Sequence, residues 1–378
     1  MLQAKLLFVV NVDWFFLSHR LPIALEAMRQ GYEVHVATGI TDRFDELRCH
    51  GLIVHPLAIK RSSTGLVAEV RTFWEILQLF KKVQPQIVHL VTIKPVLFGG
   101  IAARLAGVPA VVAAISGLGY VFIAKGWKAK TVRACVAGLY RLALGRRKLL
   151  VICQNPDDRK TLVRAAGLSL HKVVMIPGSG VDLSAYTPTP LPQGVPVVVM
   201  AARLLADKGV YEFIAAAQLL RKRGVDARFL LAGEPDPGNP ASVKAEELLA
   251  WRSAGTVEIL GQRDDIIGLF AASSLVVLPS YREGLPRVLI EAAASGRAVV
   301  TTDVPGCRDA VVADETGILV PPRDTVALAD AIQCLLEDAA MCARMGQAGR
   351  ILAEEKFSIE KVVAAHMEIY RNLIGNVS

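Results

Sequence analysis

The chain has 378 residues, of which 53% are hydrophobic and 21% charged. This length predicts two domains at about 150 residues each, and the apolar content excludes a disordered or low-complexity chain. The net charge of +8 hides an asymmetry. Residues 1–190 carry 24 lysines and arginines against 11 aspartates and glutamates, a net charge of +13, whereas residues 191–378 carry 19 against 24.

Six scattered cysteines form no C-x-x-C pair and no histidine-spaced cluster. This pattern is typical of buried thiols in a reducing compartment rather than of a disulfide framework or a zinc site. The N-terminus has no secretory signal pattern, because Asp13 closely follows a short apolar run. Residues 105–124 are uncharged and long enough to span a bilayer. Pro109 and three glycines instead favour a buried strand that ends in a glycine-rich loop.

Short apolar runs alternate with helical patterns along the whole chain. In the first half, the predicted strands are 5–11, 33–38, 52–57, 87–91, 110–115, 149–153 and 173–176. In the second half, they are 195–201, 227–232, 256–260, 274–279, 298–302 and 318–320. This alternation predicts an α/β fold with two doubly wound, Rossmann-like domains. Their ligands are expected in a cleft at the carboxyl ends of the strands.

A segment with three prolines in nine residues, 186–194, separates the two series of strands. We therefore predict a first domain at 1–185, a linker at 186–194 and a second domain at 195–359. The first strand is not followed by G-x-G-x-x-G, and no Walker A motif is present. Dehydrogenase and P-loop kinase functions are therefore disfavoured.

No acidic residue occurs between Ile76 and Pro156, whereas 12 basic residues do. Apolar residues are interleaved among the basic ones, an arrangement that suits an anionic membrane surface. The predicted membrane-facing residues are Lys125, Lys128, Lys130 and Arg133. The alternatives are a solvated helix face without a partner and a nucleic-acid surface. No recognition motif or aromatic platform supports a nucleic-acid partner.

Three motifs in the second half predict a ligand site. Arg203 and Lys208 follow the strand at 195–201, and their charges suit a diphosphate. Glu283 and Glu291 flank a predicted helix start at Pro286, and their carboxylates would accept hydrogen bonds from sugar hydroxyls. The Gly-Ser-Gly turn at residues 178–180 allows close backbone approach. Taken singly, each motif is also compatible with ordinary surface residues.

Together, these motifs resemble the retaining glycosyltransferases of family 4, which have the GT-B fold. The resemblance rests on Arg203, Lys208, Glu283-x7-Glu291 and the Pro-Gly-Ser-Gly-Val-Asp segment, and it covers nearly the whole chain. Residues 13–22 and 116–122 look like the subgroup that builds bacterial surface polysaccharides and protein-linked glycans on undecaprenyl-diphosphate carriers. In this fold the terminal helix crosses back to the first domain, and we predict the same for residues 360–378.

The resemblance implies a role for each motif. Arg203 and Lys208 would bind the donor diphosphate, and Glu291 would bind the ribose. Glu283 would be catalytic, contacting the donor sugar near the reacting carbon. The remaining donor-binding residues would be Gly261, Arg263, Gly284, Leu285 and Pro286.

The acceptor side of the site departs from the family pattern at Ser116. Many members have a histidine there, so the family's usual contact to the donor sugar is in question. His19 is a candidate catalytic substitute or an acceptor contact, or else it caps the first helix beside Ser18. The predicted acceptor or cleft residues are Asp13, Ser18, Arg20, Ser116, Gly117, Gly178, Ser179 and Gly180.

The absence of a D-x-D motif predicts a reaction without a metal, and no cofactor is expected. The resemblance favours a UDP-linked donor, with GDP as the alternative, and transfer of an N-acetylated hexosamine to a polyprenyl-diphosphate-linked sugar. It places the enzyme on the cytoplasmic face of the plasma membrane as a peripheral protein. Three other hypotheses remain: a soluble transferase acting on a small glycan or sugar phosphate, a nucleotide-sugar epimerase, and a nucleic-acid-binding protein.

Overall fold

A computed structural model describes residues 3–59, 65–117, 127–236 and 238–375, without the side chains of residues 66 and 127–130. Lys125, most of the 116–122 motif and the side chains of Lys128 and Lys130 therefore lie outside the described residues. The chain divides into two compact units. One comprises Met1–Ser179 with Glu360–Ser378, and the other comprises Gly180–Ile359.

The first unit is a seven-stranded parallel sheet in the order β3-β2-β1-β4-β5-β6-β7, covered by helices on both faces. Its strands are β1 (Lys5–Val10), β2 (Glu33–Thr38), β3 (Ile53–Pro56), β4 (Ile87–Val91), β5 (Ala110–Ile115), β6 (Leu149–Cys153) and β7 (Val173–Met175). Its helices before the crossover are α1 (Asp13–His19), α2 (Leu21–Arg29), α3 (Phe44–Cys49), α4 (Leu66–Val83), α5 (Ile93–Leu105), α6 (Trp127–Leu144) and α7 (Pro156–Ala166).

The second unit is a six-stranded parallel sheet in the order β10-β9-β8-β11-β12-β13. Its strands are β8 (Val197–Ala201), β9 (Arg228–Ala232), β10 (Glu258–Gly261), β11 (Leu275–Leu278), β12 (Ala298–Thr302) and β13 (Gly317–Val320). Its helices are α8 (Val210–Lys222), α9 (Ala245–Ala254), α10 (Ile266–Ala271), α11 (Arg287–Ala294), α12 (Thr325–Glu337) and α13 (Ala339–Leu352).

The central strands consist mainly of valine, leucine, isoleucine and alanine and are buried along their length. Parallel strands covered on both faces require such unbroken apolar runs. Every predicted strand is present, and its ends differ from the prediction by at most two residues. Because β5 lies inside the first sheet, the apolar segment 105–124 contributes a buried strand, as predicted.

The last helix, α14 (Ile359–Gly375), packs on the first unit and confirms the predicted crossover. Its Met367, Tyr370 and Leu373 join the core formed by β1, β4, α1 and α2. Burying each such side chain contributes about 1.5–3 kcal/mol. The tail is therefore an integral part of the first unit.

The passage into the second unit occurs at Gly180, earlier than the predicted linker at 186–194. Val181 already pairs with Ser358 of the second unit, and Tyr186 is buried in that unit's core. The proline-rich segment is thus part of the second unit rather than a connection between units. Prolines alone do not distinguish these cases, because both a linker and a packed surface segment accept them.

Candidate functional site

The strand order of the second unit reverses between β8 and β11. In an open parallel sheet, such a switch point leaves a crevice at the carboxyl ends of the strands, where ligands bind. The loop after β8, 202–209, and the loop after β11, 279–286, meet at this point. The Tyr281 amide donates to the Asp207 carbonyl over 2.9 Å, which joins the two loops.

Lys208 and Glu283 form an ion pair between these loops. Both side chains are largely buried, with exposures of 19% and 12%. The Ser280 hydroxyl donates to the same Glu283 oxygen, Oε1, over 2.8 Å. A partly buried pair of this kind costs stability if either partner is removed, because the other charge is left uncompensated. The structure therefore joins the two motifs that the sequence analysis assigned to one site.

Two glycines, one in the loop after β8 and one after β12, allow backbone to pack closely against the loop after β11. Gly209 has a φ of +75°, and a Cβ atom there would lie 2.2 Å from the Pro279 carbonyl oxygen. Gly306 has a φ of +85°, and its Cβ would lie 2.5 Å from the Glu283 carbonyl oxygen. Only glycine fits such positions without moving backbone. The placement of Glu283 thus depends on a residue 23 positions later in the chain.

Glu291 lies inside α11 and is almost fully buried. Arg287 Nε donates to Glu291 Oε1 over 2.7 Å, and the Tyr186 hydroxyl also lies within hydrogen-bonding reach of this carboxylate. Burial raises the pKa of Glu291 above its usual value. The helix begins at Arg287, with Pro286 as the residue preceding it rather than its first member, a correction of one position. Gly284, Leu285 and Pro286 are buried between the strand and the helix.

The other predicted donor-binding residues lie near neighbouring strand ends, and within the described residues no side-chain hydrogen bond joins them to the Lys208–Glu283 pair. Arg203 NH1 donates to Asp236 Oδ2 over 2.7 Å, which ties the loop after β8 to the segment after β9. Gly261 ends β10 with a φ of +70°, and its carbonyl accepts from the Gly233 amide over 2.7 Å. Arg263 is exposed and lies 3.8 Å from Asp265.

In the first unit, Asp13 and Ser18 make local structural bonds. The buried Asp13 carboxylate accepts from the Thr41 amide and hydroxyl, each over 2.7 Å. The Ser18 hydroxyl donates to the Trp14 carbonyl and lies 2.6 Å from His19 Nδ1. His19 ends α1 and stacks on Phe15 with 4.0 Å between ring centroids. This position is compatible with a role of His19 as a catalytic or acceptor contact and with a role as a cap of the first helix beside Ser18.

Arg20 is a buried cation in the same unit. Its NH1 donates to the His19 carbonyl over 2.9 Å and lies 3.4 Å from the Ser179 hydroxyl. Burial lowers the pKa of Arg20 to about 10. Within the described residues, no carboxylate forms an ion pair with it. Three other predicted residues are glycines with positive φ angles, which glycine adopts more readily than other residues: Gly117 (φ +117°), Gly178 (φ +72°) and Gly180 (φ +78°). Ser116 directly follows β5.

The basic segment is less uniform than its sequence. Arg133 is half-buried, and Arg146 is bonded to the Val108 carbonyl, with a pKa lowered by burial. Arg146 is therefore a structural residue rather than a surface cation. Val132, Leu139 and Leu142 of α6 are exposed, at 50%, 41% and 45%. The described part of α6 thus presents apolar as well as basic side chains.

Several site residues were not identified from the sequence. Ser280 lies two residues after the end of β11 and Asp236 four residues after the end of β9, and this proximity to strand ends was their only available signal. Tyr186 and Gly306 act through contacts that are remote in sequence. Among the described residues, no group of three histidine, cysteine, aspartate or glutamate side chains is placed to hold a metal ion. The helices described here include none with the length and apolarity needed to cross a bilayer.

Comparison with known proteins covers both units. Residues 5–155 match the family model described as Glycosyl transferase 4-like, and residues 195–338 match the model described as Glycosyl transferases group 1. Among solved structures, sucrose-phosphate synthase from Thermosynechococcus elongatus has a TM-score of 0.81 over 99% of this chain and 100% of its own, at 22% identity. At that identity, the similarity shows a shared fold.

Two similar enzymes act on lipid-linked sugars, as their names state. The chain is 29% identical to the N,N'-diacetylbacillosaminyl-diphospho-undecaprenol alpha-1,3-N-acetylgalactosaminyltransferase of Campylobacter jejuni, over 96% of this chain and 99% of that enzyme. It is 25% identical to the UDP-Gal:alpha-D-GlcNAc-diphosphoundecaprenol alpha-1,3-galactosyltransferase of Escherichia coli, over 82% of each chain.

Proposed function

Because the chain belongs to the group 1, family 4-like glycosyltransferases, which have the GT-B fold, we propose a specific reaction for it. It transfers an N-acetylated hexosamine from a UDP-linked donor to a sugar carried on undecaprenyl diphosphate. The names of the two relatives support this acceptor, and one of them names a UDP-linked donor. The donor is bound by the second unit and the acceptor by the first.

The observation that carries the proposal is the Lys208–Glu283 pair at the switch point of the second sheet. A donor diphosphate gives Lys208 a new anionic partner. This frees the Glu283 carboxylate to accept hydrogen bonds from the sugar and to stabilise the positive charge that develops at the reacting carbon. Within the described residues, both bonds to Glu283 use Oε1, so Oε2 is available for this contact.

The reaction retains the configuration of the transferred sugar. The bond between the anomeric carbon and the donor phosphate oxygen breaks, and the acceptor hydroxyl oxygen bonds to the same face of that carbon. The hydroxyl proton passes to the departing phosphate oxygen. The chain supplies positioning and charge stabilisation, with no covalent intermediate on a side chain. Lys208 and Arg203 neutralise the leaving diphosphate in place of a metal ion.

The acceptor's lipid brings the enzyme to a membrane surface. The cationic first half and the exposed apolar residues of α6 support peripheral binding to an anionic membrane on its cytoplasmic face. Each well-placed cation contributes about 1 kcal/mol to such binding.

A transfer assay with purified protein tests the proposal. Labelled UDP-N-acetylgalactosamine, UDP-N-acetylglucosamine and GDP-mannose are each incubated with α-GlcNAc-diphosphoundecaprenol, with and without EDTA, and the lipid fraction is extracted. The proposal predicts label from one UDP-sugar in the lipid, an α-linkage by NMR and no effect of EDTA. Equal transfer to a lipid-free sugar phosphate would support the soluble alternative instead. Conversion of the donor without any acceptor would support an epimerase.

A further inference from the structure

Two polar residues follow the carboxyl ends of β1 and β4, the neighbouring strands at the switch point of the first sheet. The last paired residues of those strands are Val9 and Leu90, and Asn11 and Thr92 each follow two residues further along their own strand's path. Neighbouring parallel strands are about 4.8 Å apart. The order of this sheet reverses here, as it does at the Lys208–Glu283 pair in the second unit.

Thr92 has a backbone conformation that is reserved almost entirely for glycine. Its φ is +73° and its ψ is 169°, whereas a β-branched residue strongly avoids this region. The Thr92 amide donates to the Ala114 carbonyl, and the Thr92 carbonyl accepts from the Val96 amide, each over 3.1 Å. These bonds to β5 and α5 hold the strained geometry. A glycine would adopt these backbone angles with less strain, so the presence of a threonine at this position is not explained by the backbone.

Both side chains carry a buried oxygen without a hydrogen-bond partner. Thr92 Oγ1 and Asn11 Oδ1 are shielded from solvent and bonded to nothing in the described chain, although each residue is partly exposed. Buried polar atoms in native proteins are nearly always paired, so an orphan needs an account. Two orphans just past the carboxyl ends of neighbouring strands, one of them on a strained residue, point to a ligand.

We infer that Asn11 and Thr92 bind the acceptor sugar and help to determine which sugar is accepted. This inference rests on the proposed function. An amide oxygen accepts hydrogen bonds only, and a threonine hydroxyl both donates and accepts. Their complement is a sugar hydroxyl or an acetamido N–H, both of which donate. A diphosphate offers acceptor oxygens alone and does not match Asn11 Oδ1.

Four variants separate the hydroxyl from the backbone strain. Thr92→Val removes the hydroxyl and keeps the shape, and Thr92→Ser keeps the hydroxyl. Thr92→Gly removes both the hydroxyl and the strain. Thr72→Val is the matched control, because the Thr72 hydroxyl is buried in the same unit and bonds the Ala68 carbonyl of its own helix. Acceptor kinetics with α-GlcNAc-diphosphoundecaprenol, UDP affinity and Tm are measured for each.

We expect Thr92→Val and Thr92→Gly to lower kcat/KM for the acceptor at least tenfold, with UDP affinity within twofold of wild type. Thr92→Gly should also raise Tm, while Thr92→Ser and Thr72→Val keep acceptor kinetics within threefold. Unchanged acceptor kinetics in Thr92→Val would overturn the inference. An equal loss in Thr92→Ser would overturn it as well, because the hydroxyl would then not be responsible.

The proposed function and this inference fail in different ways. If wild-type protein transfers no sugar to any lipid-linked acceptor, the proposed function fails. Calorimetric binding of methyl α-N-acetylglucosaminide to wild type and Thr92→Val then decides the inference separately. Binding that is lost in Thr92→Val supports it, and equal binding or no binding to either protein overturns it.

Discussion

At the residue scale, the proposed chemistry of the second unit centres on one ion pair. Lys208 and Glu283 are 75 residues apart in sequence and come from neighbouring strand ends. Each limits the freedom of the other, and the Ser280 hydroxyl donates to the same carboxylate oxygen, Oε1, that the lysine bonds. In the proposed reaction, both groups already stand at the strand ends, and the donor diphosphate replaces the carboxylate as the partner of Lys208 before the transfer.

The role of Glu283 is testable by substitution. We expect Glu283→Gln to lower kcat about 100-fold, as is usual when a preorganised group that stabilises transition-state charge is removed. UDP affinity should stay within about threefold, because the amide keeps the side-chain volume near Lys208. Glu258→Gln is the control, since Glu258 pairs with Arg228 on the edge of the same sheet. Equal losses in kcat and UDP affinity would argue against a transition-state role.

How far the sequence predicts the site depends on whether a residue's signal is local. Lys208 and Glu283 could be assigned to one site because both follow apolar runs that form parallel strands. The Arg203–Asp236 and Tyr186–Glu291 contacts need the packed sheet and have no local pattern. Thr92 gave no signal at all, because its sequence does not reveal its backbone angles.

At the element scale, α14 carries a buried polar cluster into the first unit. His89 Nδ1 of β4 lies 2.5 Å from the Tyr370 hydroxyl, and His366 Nδ1 donates to the Val362 carbonyl over 2.7 Å. Burial, together with neighbouring positive groups, lowers the pKa of both imidazoles, that of His366 to about 3. Arg20 is among those neighbours for both. The folded chain therefore keeps both histidines neutral.

This cluster predicts that the first unit loses stability in acid. The pKa of a histidine in an unfolded chain is about 6.5, so below that pH the unfolded state binds protons that the folded state does not bind. The free energy of unfolding should then fall by about 1.4 kcal/mol per pH unit for each histidine, and it should level off above pH 7. Tm measured from pH 7.5 to 5.0 checks this. His366→Met should reduce the slope, and an unchanged slope would contradict the assignment.

The fold of these elements follows from the sequence more completely than the boundary between the units. Apolar runs such as 110–115 and 275–278 specify buried parallel strands by local composition, and every strand appears where it was predicted. The boundary at Gly180 depends on the pairing of Val181 with Ser358, two residues 177 positions apart. The prolines at 186–194 gave no information about that pairing.

At the scale of the whole molecule, charge is divided unequally between the two halves of the sequence. The cationic half contains α6, whose exposed Leu139 and Leu142 accompany its basic residues. Apolar insertion and electrostatic attraction act together at membrane surfaces, and neither is sufficient alone for stable binding. The acidic half of the sequence, residues 191–378, includes most of the second unit, which we propose binds the water-soluble nucleotide-sugar.

Vesicle co-sedimentation tests this division. We expect the protein to sediment with vesicles containing 30% phosphatidylglycerol and to bind them more weakly at 0.5 M salt. It should not sediment with vesicles made of phosphatidylcholine alone. The double variant Leu139→Asn/Leu142→Asn should bind several-fold more weakly. Leu249→Asn, which alters an exposed leucine of the second unit, is the matched control. Binding that does not depend on anionic lipid would contradict the proposal that the first unit binds an anionic membrane surface.

The central claim is that the switch point of the second sheet holds the donor through Lys208. Calorimetric titration of UDP into wild type, Lys208→Met and the exposed-lysine control Lys222→Met tests it most directly. A hydrogen bond to a charged group contributes about 1.5–3 kcal/mol, or roughly 10- to 100-fold in affinity. We predict that UDP binds wild type and Lys222→Met equally and binds Lys208→Met at least tenfold more weakly. Equal UDP affinity in all three proteins, or none in wild type, would contradict the claim.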